Sequence, residues 1–97
     1  MIKGKTQSGF EFTVDPENLD DMEFIDAMVS LNDGNMFAMS TIANIMFDEA
    51  QKKALYEHLK KLDEKGKVRT TAFAKEVIDI LYRIWRKLNE SDANAEN

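Results

Sequence analysis

The single histidine, His58, is the residue of this 97-residue sequence best suited to acid–base or metal chemistry. It lies between Glu57 and Leu59, and the chain contains no second histidine and no cysteine. A metal site needs several convergent ligands, and serine-type catalysis needs a histidine between a hydroxyl group and a carboxylate. The sequence therefore predicts a surface histidine, no metal site, no cofactor and no enzymatic activity.

Acidic residues cluster before and within the first predicted helix, in a pattern that a paired-acid active site would also require. They are Asp20, Asp21, Glu23 and Asp26. The start of a helix favours negative charge in any case, so we interpret them as structural or solvated acids. The segment Asp33-Gly34-Asn35 lacks the spaced acids and terminal glutamate of a calcium loop. The glycines are isolated and form no phosphate-binding motif: Gly4, Gly9, Gly34 and Gly66.

Charge is unevenly distributed along the chain, whose formal net charge is -5. Residues 6–51 contain ten acidic residues and no Lys or Arg, whereas residues 52–88 contain eleven basic and five acidic residues. Two explanations are open. The acidic half packs beside the basic half within one chain, or the two halves make complementary contacts between subunits or with a partner.

The basic second half suggests an alternative function, binding of nucleic acid by a small regulatory protein. Ten of its eleven cations cluster around the third helix and its exit and at the end of the fourth helix, namely Lys52, Lys53, Lys60, Lys61, Lys65, Lys67, Arg69, Arg83, Arg86 and Lys87. The chain as a whole has a negative net charge, and it lacks a recognisable helix-turn-helix pattern. Both observations favour a solvated helix face instead of a nucleic-acid site. Residues 36–47, the longest apolar-rich stretch, are too short to span a bilayer, and no signal peptide is evident. We therefore expect a cytoplasmic protein without membrane contact.

The N-terminus has the alternating pattern of a half-buried strand, since Phe10, Phe12 and Val14 are separated by polar residues. Ser8-Gly9 is typical of a turn, and Asp15-Pro16 ends the strand. Residues 2–14 are therefore predicted to form a β-hairpin. An isolated hairpin is only marginally stable, so its apolar face must dock on helices or on another subunit.

The rest of the chain predicts a mainly α fold of about four helices, over residues 19–31, 36–47, 49–65 and 72–88. Residues 1–88 form one helical domain, and the polar residues 89–97 form a disordered tail. Asn18 and Asp48 are expected to cap the first and third helices, and Gly66 to end the third. The first helix is expected to bury one apolar stripe, made of Leu19, Met22, Ile25, Met28 and Val29.

Two apolar features exceed what the core of a small domain requires. In the fourth helix, Ile78, Tyr82 and Trp85 form a second stripe at spacings of four and three. Residues 22–47 contain five Met and three Phe, a composition suited to adaptable apolar contacts. We predict partner-binding residues in both features, namely Ile78, Tyr82, Trp85, Met36, Phe37 and Met39. A core role for either feature is the alternative.

Three segments together resemble a known family. They are Lys5-Thr6-Gln7-Ser8-Gly9-Phe10-Glu11-Phe12, Leu19-Asp20-Asp21-Met22-Glu23 and Asp48-Glu49-Ala50-Gln51-Lys52-Lys53-Ala54-Leu55-Tyr56-Glu57-His58-Leu59. In this order they resemble the tail assembly chaperones encoded just before the tape-measure protein in long-tailed phages and prophages of Gram-positive bacteria. The resemblance covers residues 3–88, although the connection at residues 63–67 is more charged than the family pattern suggests.

The resemblance implies a helical, non-enzymatic protein that coats the tape-measure protein and recruits tail-tube subunits during tail morphogenesis. It also implies self-association, a location in the host cytoplasm and absence from the mature virion. In the family a translational frameshift often adds a C-terminal extension, which here would follow residues 89–97. No residue inherits a catalytic role.

Overall fold

A hairpin followed by four helices makes up the computed structural model, which describes the backbone of residues 1–96 and the side chains of residues 1–90. The elements are β1 (Ile2–Lys5), β2 (Glu11–Val14), a 3₁₀ turn (Pro16–Leu19), α1 (Met22–Asn32), α2 (Ala38–Met46), α3 (Glu49–Leu62) and α4 (Thr70–Glu96). The predicted mainly α class with an N-terminal hairpin is confirmed.

The hairpin pairs β1 and β2 antiparallel, with Gly4 opposite Phe12. Phe10, Phe12 and Val14 are all buried, as their alternation predicts, and β1 packs against α4. The Phe12 ring lies over Gly4 so closely that a Cβ on that glycine would be 2.5 Å from the ring Cζ. The close approach explains why a residue without a side chain lies opposite the aromatic.

Helix α2 lies at the centre of the core, as its nearly continuous apolar sequence predicts. Its side chains Ile42, Ala43 and Met46 are almost fully buried, and α2 contacts α1, α3 and α4. The hairpin, Leu55 of α3 and Val77 of α4 complete the same cluster. One core therefore holds both strands and all four helices in place.

Helix α1 begins later than predicted and buries a different face. Asp15 caps the 3₁₀ turn and Asp21 caps α1 by accepting from the Glu23 amide at 2.8 Å, so the cap expected at Asn18 is wrong. The buried residues are Phe24 and Ala27, and Met28 and Leu31 are half-buried beside them. Most of the predicted stripe lies outside the core, with exposed fractions of 68% for Met22, 44% for Ile25 and 55% for Val29.

The connection between α3 and α4 is organised by Asp63. Its carboxylate accepts from the amides of Lys65 and Lys67 at 3.1 and 3.0 Å and from Arg69 Nε at 3.0 Å. The Lys67 amide, followed by the Arg69 side chain, holds the pKa of Asp63 below its usual value. Because this side chain competes for backbone donors, α3 ends at Leu62, three residues before the predicted end.

Helix α4 begins at Thr70, two residues earlier than predicted, and the Phe73 amide donates to the Arg69 carbonyl at 2.9 Å. It continues through residues 89 and 90, beyond the predicted end at Leu88. The rest of the predicted disordered tail is residues 91–97, whose side chains lie outside the described residues.

Candidate partner-binding site

Helix α4 carries two apolar faces, one toward the core and one toward solvent. Val77, Ile80 and Ile84 are buried. The stripe predicted for partners faces outward, with exposed fractions of 54% for Ile78, 58% for Tyr82 and 63% for Trp85. Large apolar side chains in line on a solvent-facing helix are typical of interaction surfaces. We call Ile78, Tyr82 and Trp85 the α4 stripe.

A groove of about 600 Å³ runs beside the α4 stripe, between the end of α3 and α4. Leu59 and Leu62 form one wall, Ile78 and Tyr82 form the other, and the hairpin tip closes one end at Ser8. Leu62 is 60% exposed, so apolar surface lines both sides of the opening. This arrangement suits an elongated apolar occupant better than a small polar molecule.

The acidic residues of the groove are already bonded, whereas several of its cations are exposed. Asp63 binds Arg69, and Asp79 accepts from the Gln7 amide at 2.9 Å and from Arg83 at 2.8 Å. Lys67 and Lys75 lie exposed on the same rim. Lys67 and Lys75, which take part in none of the described ion pairs, are therefore the exposed charges that the rim offers to an occupant.

A buried carboxylate, that of Glu76, fixes the hairpin tip to α4. Its Oε1 accepts from the hydroxyl of Thr6 at 2.5 Å and from that of Ser8 at 2.6 Å. Because the Ser8 proton points to Glu76, His58 Nε2 is the donor in its 2.9 Å contact with Ser8 Oγ. We call Thr6, Ser8, His58 and Glu76 the tip cluster.

The tip cluster contains the residue types of a serine-hydrolase triad in a different arrangement. A triad places the carboxylate on the far nitrogen of the histidine, whereas Glu76 here contacts the serine itself. His58 also packs against the Phe10 ring, with centroids 5.5 Å apart, and is half-buried rather than on the open surface. The cluster thus connects the hairpin to α3 and α4 by hydrogen bonds and has a structural geometry rather than a catalytic one.

The predicted contacts around α2 divide into exposed and buried residues. Phe37 is 88% exposed and Met36 is 58% exposed, both just before α2. Met39 is only 4% exposed, so its prediction as a partner contact is wrong for this conformation. It lies on the same face of α2 as Ile42 and Met46, because residues three, four and seven apart share one side of a helix.

The described ion pairs include no acid from the acidic half of the chain. In the part of the chain with described side chains there are four pairs: Glu57–Lys60, Asp63–Arg69, Asp79–Arg83 and Arg86–Glu90. None includes an acid from residues 6–51. The charge pattern has two explanations, and one is that the acidic half packs beside the basic half within one chain. None of these ion pairs supports that explanation.

The basic residues of α3 are interleaved with acids. Lys60 pairs with Glu57 at 3.6 Å, and Lys52 lies over the Tyr56 ring, 5.7 Å from its centroid. Nucleic-acid binding remains an untested prediction that this arrangement does not favour. Across the residues searched, no group of three or more His, Asp or Glu is placed to hold a metal ion, and no helix is long and apolar enough to cross a membrane.

Comparisons with known proteins give no relative: no family model, no curated protein and no solved structure matches this chain.

Proposed function

We propose that this protein is a non-enzymatic tail assembly chaperone, which binds a phage or prophage tape-measure protein and recruits tail-tube subunits. The observation that carries the proposal is the α4 stripe beside an open apolar groove. The sequence resemblance to tail assembly chaperones supports the same function. The protein would act in the host cytoplasm and be absent from the finished virion.

The groove has properties that a helical client requires. An amphipathic helix binds a groove through apolar anchors at spacings of three, four and seven residues. Leu62, Ile78 and Tyr82 provide exposed apolar surface on both walls of the opening. Tyrosine and tryptophan supply large contact areas at low entropic cost, which suits them to a binding surface.

A second contact surface is available for the other partner. Met36 and Phe37 are exposed beside α1, away from the groove, so a client in the groove leaves them accessible. We assign these two residues to contact with a second protein molecule while the groove holds the client. Two separate apolar surfaces on one small domain would let it bridge two partners.

Co-expression tests the proposal directly. The tape-measure protein encoded with this chain is expected to become more soluble when both are produced together, and to co-purify with it. Ile78→Glu places a charge in the groove and should abolish the gain. Ala54→Glu is the control, because it adds the same charge at an exposed residue of α3 that lines neither the groove nor the depression between α1 and α2.

An unchanged solubility of the client would refute the proposal. Equal loss with Ile78→Glu and Ala54→Glu would also contradict it, because the effect would then not depend on the groove. Circular dichroism of each variant checks that the fold is retained.

A further inference from the structure

Helix α1 presents a solvent-facing surface that combines apolar and acidic residues. Met22, Ile25 and Val29 form a ridge at spacings of three and four, on the side opposite the buried Phe24 and Ala27. Beside it, a depression of about 450 Å³ between α1 and α2 is lined by Glu23, Asp26, Ser30 and Phe37, among others. We call the ridge and the depression together the acidic face.

The second half of α4 has the opposite charge. Residues 81–88 contain three cations and no acid: Arg83, Arg86 and Lys87. Ile84 is the last buried residue of α4 among those described, and residues 85–90 are all exposed. Trp85 and Leu88, at 63% and 41% exposure, thus lie on a helix end that projects from the core. We call residues 81–88 the basic arm.

No described ion pair joins the basic arm to the acidic face of its own chain. The ridge points away from the core, because the opposite side of α1 is buried against α2. The arm begins on the core side and is tied to the hairpin by the contact between Lys87 Nζ and the Lys3 carbonyl. The exposed residues of both surfaces are therefore open to a second molecule.

We propose that the basic arm of one copy of this chain docks on the acidic face of a second copy, with Trp85 entering the depression beside Phe37. Arg86 then lies close to Glu23 and Asp26, which are exposed and take part in none of the described ion pairs. Arg86 itself makes only a 3.8 Å contact with Glu90 and lies 6.0 Å from the Tyr82 ring centroid.

Charge selects this pairing over the symmetric alternatives. Two acidic faces brought together would oppose carboxylates, and two basic arms would oppose guanidinium groups. Like-charge contacts of this kind are strongly unfavourable, whereas opposite charges steer association and fix its orientation. Reciprocal docking in a closed dimer and head-to-tail growth both satisfy the proposal, because each joins an arm to a face.

Trp85 is the only tryptophan of the chain, so its fluorescence reports directly on arm docking. In the purified full-length protein, raising the concentration at low salt should shift the emission to shorter wavelength and raise the sedimentation coefficient together. Arg86→Glu and Asp26→Lys should each weaken association at least about tenfold. The double variant Arg86→Glu/Asp26→Lys restores opposite charges and should recover most of the loss.

Lys53→Glu is the matched control for Arg86→Glu, since it changes the net charge equally on the exposed side of α3, outside both surfaces. A monomer at all concentrations would overturn the proposal. So would association that Lys53→Glu weakens as much as Arg86→Glu, or that the double variant does not recover. The assay contains no client, so its failure leaves the groove proposal standing, and failure of client binding leaves this one standing.

Discussion

Glu76 provides a quantitative test of how burial determines the worth of a hydrogen bond. Its Oε1 accepts from Thr6 and Ser8 at nearly the same length, 2.5 and 2.6 Å. Thr6 is only 4% exposed, whereas Ser8 lies on the surface of the turn. Burial raises the cost of an unmatched donor, so the two bonds should contribute unequally to the free energy of unfolding.

Replacing Glu76 with leucine keeps similar volume and removes the acceptor. The buried Thr6 hydroxyl then keeps only its longer 3.2 Å contact with Ser8 Oγ, at a cost of about 1–3 kcal/mol. The Ser8 hydroxyl turns to water or to His58 at little cost. Release of a buried carboxylate offsets part of the loss, which leaves a net destabilisation of about 1–2 kcal/mol. In a domain of this size that lowers Tm by about 4–16 °C.

Two double-mutant cycles separate the contributions, with unfolding in urea followed by circular dichroism. The cycle of Thr6→Val with Glu76→Leu should give a coupling energy of about 1–2 kcal/mol. The cycle of Ser8→Ala with Glu76→Leu should give less than about 0.5 kcal/mol. Equal coupling, or stronger coupling to Ser8, would refute the argument from burial, because the bond lengths alone predict near equality.

Two further predictions concern the hairpin and the connection between α3 and α4. Gly4→Ala should destabilise the fold by about 1–3 kcal/mol in urea unfolding, since its Cβ would meet the Phe12 ring at 2.5 Å; an unchanged midpoint would contradict the packing described. Because the pKa of Asp63 is lowered in the folded state, its carboxylate stabilises the fold fully above the ordinary carboxyl pKa of 3.8. This stabilisation is lost as the pH falls through the pKa of Asp63 in the folded state. Asp63→Asn should therefore melt at a lower temperature than the natural chain at about pH 6, with the difference narrowing toward about pH 2. A constant difference would show that the charge of Asp63 is not involved.

Burial was predicted correctly from the sequence where the hydrophobic pattern allowed only one interpretation. The alternation of Phe10, Phe12 and Val14 leaves only one face of a strand to bury, and all three are buried. Helix α2 is apolar nearly all round, so it has to lie in the core wherever its ends fall. In both cases local sequence determines burial without knowledge of the partner element.

Helix α1 has two apolar faces, and periodicity cannot rank them. The stripe of Met22, Ile25 and Val29 and the stripe containing Phe24 and Ala27 have equivalent helical spacing. The choice depends on which face fits against α2, and that is a tertiary property. In α4 the sequence predicted Ile78 and Trp85 on an outward stripe, and both are exposed while Val77 and Ile80 are buried.

The tip cluster lacked any signal in the sequence. Thr6 and Glu76 are separated by 70 positions, and Ser8 and His58 by 50. A hydroxyl residue in a turn and a histidine between charged neighbours are each ordinary in isolation. Only the docking of the hairpin on α3 and α4 brings them together, so the cluster depends on the whole fold rather than on a motif.

The distribution of ion pairs gives the charge pattern a physical consequence. All four pairs lie between residues 57 and 90. The carboxylates of Asp63 and Asp79 are half-buried, whereas the other two pairs are solvent-exposed and contribute little to the free energy of unfolding. The ten acids of residues 6–51 take part in none of these pairs, and their mutual repulsion disfavours the compact monomer. A cluster of acids that destabilises the isolated chain makes physical sense where contact with a basic surface neutralises the acids. The basic arm of a second copy is such a surface, and docking it on the acidic face would relieve the repulsion while leaving the groove beside Ile78 accessible to a client.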